Sequence, residues 1–144
     1  MPIERSLFLA IAATTALALN GVALTAERSM TRDQAGELRS PVAYSPESIG
    51  QGRRHYLRLC QICHGADGKA LENADFEATN LTEPAYYLSG STDGDIFFST
   101  KEGAGFEMPA FSDKLNDQQI WEVVNFIRSI GPKDLRPQRV DGDP

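Results

Sequence analysis

The run Cys60-Gln61-Ile62-Cys63-His64 restricts the fold more than any other feature of the 144 residues. It holds both cysteines of the chain and one of its two histidines. Two thiols about one helical turn apart can reach the two vinyl groups of a haem and form thioethers. The next residue then turns its imidazole toward the iron from the same side. Three scarce residue types in this fixed array make the c-type haem attachment pattern. The same residues leave other chemistry open: a structural disulfide between Cys60 and Cys63, a dithiol redox pair, or a zinc site completed by carboxylates or His55. Counting alone excludes a zinc site built on two cysteine pairs and a scaffold of several disulfides.

Upstream, residues 7–26 run for 20 positions without a charge. That length is enough to span a bilayer. Thr14, Thr15, Asn20, Gly21 and Thr25 dilute it, however, and its strongly apolar part ends near Leu19. The segment therefore reads as a signal peptide cut after Ala23 or Ala26, with a retained membrane anchor as the alternative. Either way it exports the chain to the periplasm, free or held at the outer face of the cytoplasmic membrane. Residues 27–45 are polar and aperiodic and read as a linker; residues 132–144 are proline-rich and charged and read as a mobile tail. The folded unit is then residues 46–131, a size at which domains often recruit a cofactor or a cross-link to complete the core.

Within that unit three helix starts are legible. Ser45 caps a helix with Pro46 at its first position and Glu47 in its first turn. On it Ile49, Gly52, Tyr56, Leu59 and Cys63 recur at helical spacing. Thr92 with Asp95 three residues on resembles a capping box and precedes Ile96, Phe97 and Phe98. Asn116 and Gln119 form the best-marked start, with Leu115 and Ile120 as a hydrophobic staple; Val123, Val124, Ile127 and Ile130 continue the apolar face to Gly131 and Pro132. A short helical turn fits residues 82–88, and no alternating strand pattern of useful length occurs. The expected fold class is all-α.

Several of these segments together resemble the class I c-type cytochromes. Gly52 and Tyr56 stand eight and four residues before Cys60, His64-Gly65-Ala66-Asp67-Gly68 resembles the family's loop after the haem motif, and residues 91–98 lead through Gly103 to Met108-Pro109-Ala110-Phe111. Trp121 to Arg128 resembles the closing helix. The resemblance spans about residues 46–131 and implies a cytochrome c fold, three main helices and short helical turns around one covalently bound haem c. It implies that Cys60 and Cys63 carry the thioethers, that His64 is the proximal iron ligand and that Met108, 44 residues on, is the distal one. It also implies that the first and last helices cross at Gly52, with Tyr56 and Phe126 beside it, and that Phe97, Phe98, Phe111 and Trp121 form core and pocket wall. One departure stands out. The family often uses a proline carbonyl to accept the proton on the second nitrogen of the ligand histidine, and here no proline lies between Gly65 and Thr82. Residues Ala74, Asp75, Phe76, Asn80 and Leu81 are where an acceptor is expected.

A His/Met-ligated iron has no open position for substrate, so the resemblance implies a one-electron carrier and not an enzyme. A haem peroxidase or gas-binding sensor with a labile Met108 is the alternative, and a cofactor-free dithiol oxidoreductase a third. Expected partners are redox proteins: a periplasmic dehydrogenase, a terminal oxidase, a quinol–cytochrome complex or a photosynthetic reaction centre. Membrane association through residues 7–26 is a further expectation. The formal net charge of -6 argues against nucleic acid. Its placement is uneven, with 12 Asp and Glu against 3 Lys and Arg in residues 66–122. Such a surface either is simply solvated or steers a basic partner.

Overall fold

The structure, a computed structural model, describes residues 30–70 and 78–140. In chain order its helices are α1 (Arg32–Gly36), α2 (Pro46–Leu59), α3 (Gln61–His64), α4 (Asp93–Glu102) and α5 (Asp117–Ile130). Single 3-10 turns lie at Pro84–Tyr86 and Lys133–Leu135. Among the described residues there is no strand, only an isolated antiparallel bridge between Ala104 and Met108. No described helix is long and apolar enough to cross a membrane, and residues 1–26 lie outside the described residues.

The helices begin where side chains can take up the amide groups that a first turn leaves unpaired. Ser45 accepts from the Ser48 amide and Ser48 answers to the Ser45 amide, with Pro46 at the first position, where its missing N–H costs nothing. Thr92 and Asp95 close the same reciprocal pair at α4, at 3.1 and 3.0 Å. Asn116 and Gln119 do so at α5, each at 3.0 Å. All three starts are those expected from the sequence. The turn expected over residues 82–88 shortens to Pro84–Tyr86.

The core is the packing of α2 against α5. At Gly52 the two backbones approach so closely that a Cβ would overlap the Glu122 carbonyl, so only glycine fits. Beside this crossing Tyr56 and Phe126 pack at 4.9 Å between ring centroids, and Tyr56 is fully buried. Ile120, Val123, Val124 and Ile127 present the buried face of α5. Trp121 stacks on Phe97 of α4 at 4.3 Å. The Arg128 guanidinium then ties α5 to the start of α4 by an ion pair to Asp93 and a hydrogen bond to the Ser91 carbonyl, at 2.5 and 2.6 Å.

Two stretches expected to be irregular are ordered against this core. Within the supposed linker, Thr31 and Gln34 form a capping box that starts α1, and Ala35 is fully buried against α4. The contact needs Gly94, where a Cβ would overlap the Ala35 carbonyl. Asn125 of α5, itself buried, donates to the carbonyls of Val42 and Ala43 and to Ser48 Oγ, which pins the approach to α2. In the supposed tail, Arg136 donates to the Gly131 carbonyl and the Val140 amide to the Tyr44 carbonyl. The reading from composition missed these ties because each is made by a backbone group or a single side chain and leaves no periodic pattern.

Two glycines of α2 separate close approach from helix propensity. Gly52→Ala should destabilise the holoprotein by about 3 kcal/mol or more, because backbone and not a flexible side chain must move. Gly50→Ala, with nothing within 4 Å of the added carbon, should stabilise it by about 0.5–1 kcal/mol. Chemical denaturation of both variants reads the difference. The buried phenol gives a pH dependence. Burial raises the ionisation of Tyr56 well above its ordinary value and pushes Tyr87 up to about 12. Their contribution to stability is complete below about pH 10 and is lost as the pH rises and only the unfolded chain ionises. Tyr56→Phe should flatten that alkaline loss while costing about 1 kcal/mol at neutral pH for the hydrogen bond to Gly65.

Candidate functional site

The C-terminus of α2 delivers the motif. Cys60 closes α2, its amide bonding the Tyr56 carbonyl, and the chain turns at once into α3, which carries Cys63 and His64. Below α3 the chain reverses through Gly65, whose φ of +74° favours glycine. The reversal is held from the core: Tyr56 Oη donates to the Gly65 carbonyl at 2.7 Å. The placement of Cys60, Cys63 and His64 thus depends on a tyrosine anchored at the α2–α5 crossing.

His64 is oriented by a backbone group. Its Nδ1 lies 2.9 Å from the Thr79 carbonyl, and because a carbonyl only accepts, Nδ1 carries the proton. Nε2 is left with its lone pair for a metal, the arrangement by which metal-binding histidines are commonly fixed. Burial lowers the His64 ionisation, with the Thr79 bond opposing it, so the neutral form is favoured. Thr79 is held in position by the residues that follow it. The Leu81 amide bonds the Gly68 carbonyl at 2.6 Å, and Asn80 Oδ1 accepts from the Thr82 amide and hydroxyl in an Asx turn. The acceptor is therefore the residue just before Asn80; Ala74, Asp75 and Phe76 lie outside the described residues.

Met108 arrives from the segment after α4. Downstream of α4, Ala104 and Met108 exchange backbone hydrogen bonds at 3.0 and 3.3 Å, closing a small loop through Gly105. The Phe111 amide then anchors the segment to the Thr100 carbonyl. Met108 is half-buried, whereas Phe106 at the loop tip is fully exposed.

These pieces surround one cavity of about 380 Å³. Cys60, Cys63, His64 and Met108 all line it. Much of the remaining wall is apolar, with Leu59, Leu81, Ile96, Phe111, Val123 and Ile127. Phe97 and Trp121 lie in the core and outside this lining, and Phe98 packs elsewhere under Arg32. Tyr56 lines the cavity as well as the core, a double role its spacing alone does not disclose.

The cavity fits a haem attached through two thioethers, since it combines two neighbouring thiols, an imidazole fixed at its far nitrogen, a thioether sulfur and apolar walls. The competing readings of the motif fare worse. Burial, then the neighbouring Cys63, pushes the Cys60 thiol up to about 12, opposite to the lowered value of a reactive dithiol. Among the described residues no three His, Cys, Asp or Glu side chains gather as a metal cage. His55 points away, its Nε2 3.5 Å from Glu122 and its Nδ1 3.2 Å from Arg58.

Comparison with known proteins gives the family and the fold. Residues 47–127, more than half of the chain, match the family described as cytochrome c oxidase, cbb3-type, subunit III. The chain is 30% identical over 86 residues to the cbb3-type cytochrome c oxidase subunit FixP of Rhizobium meliloti (strain 1021), covering 60% of this chain and 29% of that protein. It is 35% identical over 89 residues to the gluconate 2-dehydrogenase cytochrome c subunit of Pantoea cypripedii, covering 54% of this chain and 19% of that one. The chain thus spans less than a third of the length of these curated relatives. Its fold is like that of a chain in the reducing HAO-like protein complex of Kuenenia stuttgartiensis, with a TM-score of 0.58 at 21% identity over 65% of this chain and 48% of that one. It is also like cytochrome cL from Hyphomicrobium denitrificans, at 0.50 and 22%, over 59% of this chain and 49% of that one. The chain belongs to the cbb3-type cytochrome c oxidase subunit III family and is a class I c-type cytochrome that carries one covalent haem c.

Proposed function

We propose that this protein is a monohaem electron carrier of the periplasm, in a respiratory or dehydrogenase-linked chain, in which Cys60 and Cys63 would carry the thioethers and His64 and Met108 would ligate the iron. The observation that carries the reading is that these four side chains line one cavity, with the His64 Nδ1–H committed to the Thr79 carbonyl. When bound, haem c supplies one-electron chemistry, with its iron alternating between ferric and ferrous. The chain's own residues do the rest. Thr79 fixes the imidazole plane and its tautomer. Tyr56 holds the turn after the motif. Leu59, Ile96, Phe111, Val123 and Ile127 exclude water, which together with thioether ligation keeps a reduction potential high. With His64 and Met108 both holding the iron, no open position would be left for substrate, so transfer and not turnover is the proposed activity. The uncharged run over residues 7–26 supports export.

The relatives named as oxidase and dehydrogenase subunits support redox proteins as partners, including a terminal oxidase or a periplasmic dehydrogenase. Leu88 and Phe106 line the cavity yet are almost fully exposed, so they mark the side on which it opens. The acidic segment over residues 66–122 includes this rim, and it suits a partner with a basic patch.

Two measurements test this reading. The mature protein should show a Soret band and a mass raised by one haem, and its ferric form should show the iron–methionine charge-transfer band. Met108→Ala should abolish that band and open the ferrous protein to carbon monoxide. Survival of the band in the variant, or rapid carbon monoxide binding by the wild type, would refute Met108 as a firm ligand and favour the gas-binding alternative. For the partner, the electron-transfer on-rate should fall steeply as ionic strength rises toward about 0.15 M, where the Debye length is about 8 Å. A rate that is flat or rises with salt would sink the steering argument.

A further inference from the structure

Arg32 is a cation whose placement the core does not explain. It opens α1, at the helix end where a positive charge is disfavoured. Its guanidinium reaches across to α4 and the strip before it. One Nη donates to the Ser89 carbonyl at 3.1 Å and to Ser99 Oγ at 3.2 Å, and the plane lies 5.1 Å from the Phe98 ring centroid. The side chain is half-buried, yet all three of these contacts are neutral. The ion pairs among the described residues are His55–Glu122, Lys101–Asp117, Lys114–Asp113 and Arg128–Asp93, and Arg32 belongs to none of them. Asp33 and Asp95 share a surface hollow with Arg32 but neither forms an ion pair with it, and Asp95 directs its carboxylate to the Thr92 amide and hydroxyl. A partly buried guanidinium with no carboxylate in direct contact leaves room for an anion from outside the chain.

The direction of that anion follows from the two acceptors. Ser89 and Ser99 both line the haem cavity, and Leu88, Ser89 and Gly90 are common to the cavity and to the hollow that holds Arg32. Arg32 therefore lies behind one strip of cavity wall. Among the described residues that line the cavity there is neither Lys nor Arg, and the one carboxylate is Glu107. Haem itself carries two carboxylates. The Ser99 hydroxyl, accepting from Arg32, keeps a proton of its own to donate inward.

We propose that Arg32 is the counter-charge of the haem cavity: its guanidinium, held behind the wall by the Ser89 carbonyl and the Ser99 hydroxyl, offsets the haem carboxylates and favours the reduced form. It is a positioning residue that acts through Ser99 and through its field. Reduction adds one negative charge to the cavity, and a fixed cation nearby stabilises that state. The proposal rests on haem c filling the cavity and is independent of Met108 as a ligand.

The test is a spectroelectrochemical titration of the matured holoprotein with soluble mediators, on wild type, Arg32→Gln, Arg32→Met and Arg32→Lys. The two neutral variants should shift the ferric–ferrous equilibrium about tenfold toward ferric, which is about 59 mV for one electron. Arg32→Lys, which keeps the charge, should retain most of the wild-type potential. Arg32→Met keeps an apolar stem on Phe98, so it reports on charge even if Arg32→Gln loosens α1. Equal potentials in the neutral variants and wild type, with unchanged Soret bands, would overturn the proposal. So would an equal fall in Arg32→Lys and Arg32→Gln, which would make the role one of packing. A wild type without a Soret band would mean that the haem reading itself has failed, and a wild type with haem but no charge-transfer band would mean that only the Met108 assignment has.

Discussion

The backbone contact between Gly52 and the Glu122 carbonyl is the constraint on which the rest of the molecule depends. It brings α2 and α5 closer than side chains would allow, and that closeness seats Tyr56 against Phe126. From there the consequences run outward along the chain. The buried Tyr56 reaches the Gly65 carbonyl, the turn after the motif is fixed, and the segment with Cys60, Cys63 and His64 becomes an edge of the core instead of a free loop. A small domain cannot position a cofactor by mass of core alone. Here one crossing is tight enough to fix the segment with Cys60, Cys63 and His64 through a single intervening side chain.

The two segments that bring His64 and Met108 to the cavity are held by different means. On the His64 side the restraint is local. Three backbone or Asx hydrogen bonds within residues 64–82 set the Thr79 carbonyl against the imidazole once Tyr56 has fixed the turn at Gly65. On the Met108 side the loop closes on itself through Ala104 and is moored to α4 by one bond, Phe111 to Thr100. The loop tip at Phe106 is fully exposed. The Met108 side therefore has the fewer restraints, and it is the side on which local opening costs less.

What was legible in the sequence divides along the same physical line. Helix starts at Ser45, Thr92 and Asn116 were readable because a cap is written in side-chain identity. The gathering of Cys60, Cys63, His64 and Met108 was readable from spacing and from the family resemblance. Thr79 was not, because the acceptor is a main-chain carbonyl, which every residue has. Its only trace in the sequence is Asn80 followed by Thr82, a pair suited to the Asx turn that presents the carbonyl. The helix α1 was missed for another reason. It buries one residue, Ala35, so it has no periodicity to detect, and its docking site is defined by what Gly94 lacks.

That helix also bears on how a shared core acquires individual properties. The family match begins at residue 47, so α1 and the strand of chain that leads from it to α2 lie outside the matched region. A helix of five residues is far below the length at which helices are stable alone, so α1 exists only because it is docked. Its anchorage is divided among Ala35 against Gly94, Arg32 against Ser89, Ser99 and Phe98, and the Asn125 clasp on the chain that follows. Of these only Arg32 carries charge, and it spends that charge on residues that line the cofactor cavity. A segment joined to the core in this way can alter the electrostatics of the site without disturbing the crossing at Gly52, the turn at Gly65 or the carbonyl at Thr79. The contacts that place Cys60, Cys63 and His64 and the contact that sets a charge behind the cavity wall are thus made by different residues, Tyr56 and Thr79 for the first and Arg32 for the second.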